Sequence, residues 1–283
     1  NNGKKKSGKT YKNKNLYRRI KKIYGKCGLR HEGRRLLKRM GGFYMKAKYI
    51  TPAVTVMDKN GNPDWEGCGK VYEHLIQGGV DGILLLGSIG EFFAFTMSQK
   101  KELIRYAVKE IAHRTQLIVG TTSMIFEEIV ELSRYAKQEG ADAVIILPPF
   151  YFPLGADSLE NYYGMLAEEL SDQLIYLYNF PDRTGYDLTP EITLRLIRNH
   201  KNIVGYKDTQ PGMDHTRELI KLIKGEFPNF EIYSGFDDNF AHNILAGGDG
   251  CIAGLSNVFP RLTSGWAEAF RKEDLKRVQE IQE

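Results

Sequence analysis

The chain has 283 residues, 42% hydrophobic and 27% charged, which suits one large globular domain with a substantial core or two modest ones. Its net charge of +5 joins two unlike parts: residues 1–44 carry 16 basic residues against one acid, Glu32, while residues 45–283 carry 24 basic against 34 acidic, so an acidic body is not expected to track nucleic acid. No run of about 18 apolar residues suggests a membrane-spanning helix, and Cys27, Cys68 and Cys251 lack the spacing of a disulfide framework or zinc site, which fits a reducing cytoplasm.

Residues 1–44 are Lys- and Gly-rich without a clean period. They are read as lying outside the native domain, whose start is expected at Met45. A nucleic-acid or membrane-surface tail and an organelle targeting segment are the other readings. From Met45 onward, short β-branched apolar runs alternate with amphipathic stretches. Strands are predicted at Tyr49–Val54, Gly82–Leu86, Gln116–Gly120, Ala143–Leu147, Leu174–Tyr178, Ile203–Lys207, Glu231–Ser234 and Gly250–Ala253. Helices are predicted near Trp65–Gln77, Ser98–Ala112, Phe126–Gln138, Leu159–Leu170, Pro190–Arg198, His215–Lys224, Asn239–Ala246 and Pro260–Phe270. Ser98 and Thr189-Pro190 read as helix starts. Gly78-Gly79-Val80-Asp81-Gly82, Glu139-Gly140-Ala141-Asp142-Ala143 and Gly247-Gly248-Asp249-Gly250 repeat one helix-to-strand signature. Tandem βα units of this number predict an α/β protein, a (β/α)8 TIM barrel over residues 45–270. An open doubly wound sheet is weakened by the absence of a Gly-x-Gly-x-x-Gly turn after the first strand.

A barrel of this type places reactive groups at the C-terminal ends of its strands. Strand two ends in Gly87-Ser88-Ile89-Gly90-Glu91, whose glycines allow a tight bend and whose N–H groups and Ser88 hydroxyl suit a carboxylate; an ordinary βα turn is the other reading. Strand four runs into an aromatic, Pro-rich loop containing Tyr151, fit for a site, a subunit contact or plain packing. Strand five ends at Tyr178, a candidate proton carrier or a core cap. Arg183 follows it, able to clamp a carboxylate or to stand in solvent. Strand six ends at Lys207. Burial disfavours an ammonium, and a neutral amine adds to a ketone; a structural ion pair with Asp208 is the alternative. After strand seven, Gly235 precedes Asp237 and Asp238, which could bind hydroxyls or cap a helix. His113, His200 and His215 sit near helix ends and read as solvated. No paired histidines suggest a metal site.

Gly87-Ser88-Ile89-Gly90-Glu91, Tyr178-Asn179-Phe180-Pro181 with Arg183-Thr184-Gly185, and Gly205-Tyr206-Lys207-Asp208 together resemble the dihydrodipicolinate synthase / N-acetylneuraminate lyase family of class I aldolases, from about Lys48 onward. The resemblance implies a covalent Schiff base between Lys207 and pyruvate with no other cofactor and no metal. It implies that Tyr178 relays protons and that the Gly87–Gly90 loop holds the pyruvate carboxylate. It makes Tyr151 a residue shared across subunits of a homo-oligomer, a dimer or tetramer. Ile89 departs from the family loop, where a second hydroxyl residue is usual. The family's C-terminal helical region is expected to be truncated here, with residues 271–283 as its start. Arg183 resembles an arginine that binds aspartate semialdehyde, whereas Thr209, Gly235, Asp237 and Asp238 match positions that contact polyhydroxylated chains in sugar-acid lyases. The expected activity is cleavage or formation of a 2-keto-3-deoxy sugar acid from pyruvate and an aldehyde, without nucleic-acid or membrane partners. The alternatives are 4-hydroxy-tetrahydrodipicolinate synthase and a non-catalytic regulatory barrel that binds a small acid.

Overall fold

The computed structural model describes residues 45–283, so the reading of residues 1–44 lies outside the described residues. Parallel strands close into a barrel in chain order: β1 (Lys48–Pro52), β2 (Gly82–Leu85), β3 (Gln116–Gly120), β4 (Ala143–Ile146), β5 (Ile175–Asn179), β6 (Ile203–Asp208), β7 (Glu231–Ser234) and β8 (Gly250–Ile252), which pairs back onto β1. Helices α1 (Trp65–Gly78), α2 (Met97–Ile111), α3 (Phe126–Glu139) and α4 (Ala156–Glu169) connect the first five strands. A one-turn helix α5 (Pro181–Thr184) leads into α6 (Pro190–Asn199), and α7 (Asp214–Ile223) and α8 (Phe240–Ala246) continue the outer ring, which the helix after β8 closes against β1 and α1. Helices α9 (Pro260–Arg271) and α10 (Leu275–Gln282) follow β8. The expected (β/α)8 TIM barrel is therefore the fold.

Because side chains alternate along a strand, each strand feeds two cores. Ile83, Leu85, Leu117, Val119, Val144, Ile146, Ile175 and Leu177 face outward against the helices. Ile50, Leu84, Ile118, Ile145, Tyr176, Tyr178, Tyr233 and Ile252 fill the barrel interior. Burial on both faces explains why these strands read as unbroken apolar runs. Each fully buried Leu or Ile contributes about 1.5–3 kcal/mol.

The repeated helix-to-strand signature has a specific job. Asp81 accepts the Tyr49 N–H at 2.8 Å and returns its own N–H to the Tyr49 carbonyl at 3.0 Å. Asp142 does the same with Leu117, at 2.7 and 3.0 Å, and Asp249 with Ile232, at 2.8 and 2.9 Å. Each aspartate thus fixes the register of one strand pair: β1 with β2, β3 with β4, β7 with β8. The glycines before them end helices, Gly79 at φ 82° and Gly140 at φ 111°, conformations that favour glycine.

One expected cap moves. Helix α2 begins at Met97, and Thr96, not Ser98, caps it: the Thr96 hydroxyl accepts from the Gln99 N–H while Gln99 Oε1 accepts the Thr96 N–H at 3.0 Å. That reciprocal pair satisfies two free N–H groups, which a cap at Ser98 could not do. Thr189 caps α6 as expected, with Pro190 at its first position.

Candidate active site

The C-terminal end of the barrel gathers the reactive side chains. Lys207 pairs with Tyr178 across β5 and β6 and with Tyr233 across β6 and β7. It is buried, and its Nζ stands 4.3 Å from the centre of the Tyr178 ring. Among the described residues no carboxylate pairs with Lys207, and neither its Nζ nor the Tyr178 hydroxyl is held in a hydrogen bond. The Tyr178 ring stacks on Phe180, centroids 6.0 Å apart at 23°. The aromatic pair thus forms an apolar platform beneath the amine.

Asp208 is not the partner of Lys207. It faces outward and is fully committed: Oδ1 accepts from Asn179 Nδ2 at 3.0 Å, and Oδ2 accepts from Thr216 Oγ1 at 2.6 Å and meets His215 Nδ1 at 2.9 Å. Asn179 also donates to Asp187 at 3.0 Å and accepts from the Leu188 N–H at 3.0 Å. A structural ion pair at Lys207 is thus overturned by strand alternation, which sends neighbouring side chains to opposite faces.

The same network corrects the reading of His215 as solvated. Its side chain is only 14% exposed and pairs with Asp208. Burial works to lower its pKa, but the Asp208 hydrogen bond and charge, with Asp187 behind them, raise it above its ordinary value. A raised folded-state pKa means the pair's contribution to stability is full below the unfolded histidine value, about 6.5, and is lost as pH climbs through the folded value. Urea unfolding of the native chain and His215→Gln should therefore differ more near pH 5.5 than near pH 8.5; a gap that does not shrink with pH contradicts the pairing.

Ser88 stands across the barrel, in the loop after β2, the strand four places from β6. It is half-buried, Gly87 is buried, and Ile89 is 42% exposed at the rim. The bend expected at the glycines falls elsewhere: Leu86 and Glu91 take the left-handed region, at φ 55° and 54°. The glycines serve close approach instead. A Cβ on Gly90 would lie 2.9 Å from the Ala53 carbonyl oxygen, and one on Gly87 3.2 Å from Leu84. The N–H groups of Glu91 and Phe92 turn back to the Ser88 and Gly87 carbonyls, whereas those of Ser88 and Ile89 have no acceptor among the described residues.

Thr209 and Gly235 lie two places beyond the inward Lys207 of β6 and Tyr233 of β7 and against each other. Thr209 Oγ1 is buried without a partner among the described residues, and a Cβ on Gly235 would collide with it at 1.9 Å. Asp237 is half-buried and already engaged, accepting from the Tyr49 hydroxyl and, at 3.1 Å, from the Leu255 N–H. It ties the β7 loop to β1 and the β8 loop, leaving Oδ2 as its open oxygen. Asp238 is exposed. Arg183 is exposed on α5 and lies over the Phe180 ring at 5.5 Å. Tyr151 is 83% exposed with φ 90°, a backbone state that costs a non-glycine residue about 1–3 kcal/mol. It is set edge-on to Phe152, 72% exposed, at 4.9 Å.

The Asp208–Asn179–His215 network escaped sequence reading because nothing in a histidine near a helix start tells burial from exposure. Among the described residues no three His, Cys, Asp or Glu side chains cluster as metal ligands, and no helix is long and apolar enough to cross a membrane.

The sequence pattern of the Dihydrodipicolinate synthetase family matches residues 45–283. The chain is 34% identical over 228 residues to YagE of Escherichia coli, which bears the name of a 2-dehydro-3-deoxy-D-gluconate aldolase, covering 81% of this chain and 75% of that one. It is 36% identical over 226 residues to YjhH of the same organism, which bears the name of a 2-dehydro-3-deoxy-D-pentonate aldolase, covering 80% and 75%. The 4-hydroxy-tetrahydrodipicolinate synthase of Kosmotoga olearia is 34% identical over 229 residues, covering 81% and 77%. Among solved structures, that of YagE in complex with pyruvate superposes with a TM-score of 0.81 at 33% identity, covering 83% and 79%.

Proposed function

Because the chain belongs to the dihydrodipicolinate synthetase family, we propose that it is a class I aldolase that cleaves or forms a 2-keto-3-deoxy sugar acid through a Schiff base on Lys207. The observation that carries this reading is the buried Lys207 amine, 4.3 Å over the Tyr178 ring and without a carboxylate partner among the described residues. A lysine kept from ion pairing in an apolar wall is suited to nucleophilic addition.

In the cleavage direction the Lys207 amine adds to the C2 carbonyl of the keto acid, and loss of water leaves an iminium. The proton of the C4 hydroxyl departs, the C3–C4 bond breaks, and its electron pair moves into the iminium to give an enamine while the aldehyde leaves. Protonation at C3 and hydrolysis release pyruvate and restore the amine. The Tyr178 hydroxyl, free of other bonds, carries the protons. The Ser88 hydroxyl and the N–H groups of Ser88 and Ile89 hold the carboxylate, with Gly87 permitting the loop's close packing. No further cofactor is required, since the iminium itself is the electron sink.

The sugar-acid preference is supported by the two relatives named for such substrates and by Thr209 Oγ1, a buried hydroxyl without a protein partner beside Gly235. Asp237 Oδ2 and Asp238 extend that side toward a polyhydroxylated chain. Arg183 at the rim and the Kosmotoga olearia relative favour the second reading, 4-hydroxy-tetrahydrodipicolinate synthase. The deciding experiment compares pyruvate release from 2-keto-3-deoxygluconate and 2-keto-3-deoxypentonate with condensation of pyruvate and aspartate semialdehyde. Turnover of the sugar acids is expected; turnover of the semialdehyde alone would reverse the order.

Tyr151 and Phe152, large, adjacent and exposed, fit burial against a second copy, with Tyr151 serving the neighbouring site in a dimer or tetramer. Sedimentation should return at least a dimer, weakened in Tyr151→Ala; a monomer at every concentration contradicts this. A cytoplasmic location suits Cys68 and Cys251, both buried and unpaired, and recovery of the protein from an oxidising compartment would contradict it.

A further inference from the structure

Strict alternation along β6 would turn Lys207 away from the site. Ile203 packs in the outer layer and Val204 in the inner one. Continuing in twos gives Gly205 outer, Tyr206 inner and Lys207 outer. Instead Tyr206 is fully buried in the outer layer, its hydroxyl donating to the Leu188 carbonyl, and Lys207 lies inside over the Tyr178 ring. The inversion has one origin. From Ile175 to Tyr176, β5 advances one residue while β6 advances two, from Ile203 to Gly205, and Val204 is left without a pairing partner. A bulge of this kind re-aims every side chain beyond it.

The bulge falls where the register device of the other pairs is missing. At the position of Asp81, Asp142 and Asp249, this pair has Asn202. Its side-chain amide donates to the Ala167 and Leu170 carbonyls, at 3.0 and 2.9 Å, rather than to β5. The neighbouring strands leave no room for a side chain at the bulge. A Cβ on Gly205 would lie 2.3 Å from Cε1 of Tyr176 and 3.1 Å from the Glu231 carbonyl oxygen. Tyr176 is held in place: its hydroxyl donates to Glu231 Oε2 at 2.5 Å, and the same carboxylate takes Lys48 at 2.7 Å and the Tyr233 hydroxyl at 2.9 Å. Beyond the bulge, Tyr206 and Asp208 are both anchored outward, so the residue between them has only the interior.

We infer that Gly205 is a positioning residue, the one that admits the bulge by which Lys207 is turned into the barrel. This rests on Lys207 being the reacting amine. The test follows exchange of the pyruvate methyl protons with deuterium oxide by proton NMR, a reaction of the enamine that needs no aldehyde. The native chain exchanges them. Gly205→Ala should lose about 10²-fold in exchange rate, the scale of an ångström-sized misplacement, while keeping its far-ultraviolet circular dichroism and a cooperative unfolding transition. Tyr176→Ala removes the ring edge that the new methyl would strike, so the double variant should exchange at the rate of Tyr176→Ala alone. That rescue separates aiming from a general loss of stability, and it decides the matter by itself if Gly205→Ala fails to fold. A folded Gly205→Ala that exchanges like the native chain, or a double variant far slower than Tyr176→Ala, overturns the role of Gly205 and leaves Lys207 standing. A native chain without exchange removes the Lys207 reading and this inference with it.

Discussion

Lys207→Ala is expected to lower kcat/KM for pyruvate release by on the order of 10⁴-fold or more, the scale on which removal of a covalent nucleophile is felt. The fold should tolerate the change. Among the described residues Lys207 has no ion pair or hydrogen bond, so truncation strands no partner, and the two outward anchors beside it, Tyr206 and Asp208, are untouched. Steady-state kinetics on a variant with native circular dichroism provides the measurement. A variant retaining more than a hundredth of the native rate contradicts a covalent role.

Tyr178→Phe carries the second large effect, a fall in kcat of about 10²–10⁴-fold, the usual span for general acid–base catalysis. Phenylalanine keeps the ring that stacks on Phe180 and underlies the amine. The loss therefore isolates the hydroxyl, which has no other bond among the described residues. KM should move little because the proton transfer belongs to the transition state. A kcat within threefold of native would assign Tyr178 to packing alone.

Much of this was legible in the sequence. Apolar runs of strand length and repeated Gly–Asp junctions gave the barrel, because each junction encodes one strand register. The adjacency of Tyr178 and Lys207 also follows from sequence, since consecutive strands neighbour one another in a barrel. The inward direction of Lys207 does not follow from period two. It depends on the extra residue at Val204–Gly205, a feature of strand pairing and not of composition. The close packing that occupies Gly87 and Gly90 was equally hidden, because a glycine in sequence does not distinguish a positive φ from a near neighbour. Asp237 read as a binder of hydroxyls or a helix cap, yet its Oδ1 is bound to Tyr49, a residue 188 positions away that no local pattern links to it.

The most direct test of the covalent site is borohydride reduction in the presence of pyruvate, followed by peptide mass mapping. Expected is one adduct of pyruvate mass on Lys207, absent when either pyruvate or borohydride is withheld. An unlabelled chain, or a label confined to another lysine, would contradict the assignment of Lys207 as the reacting amine.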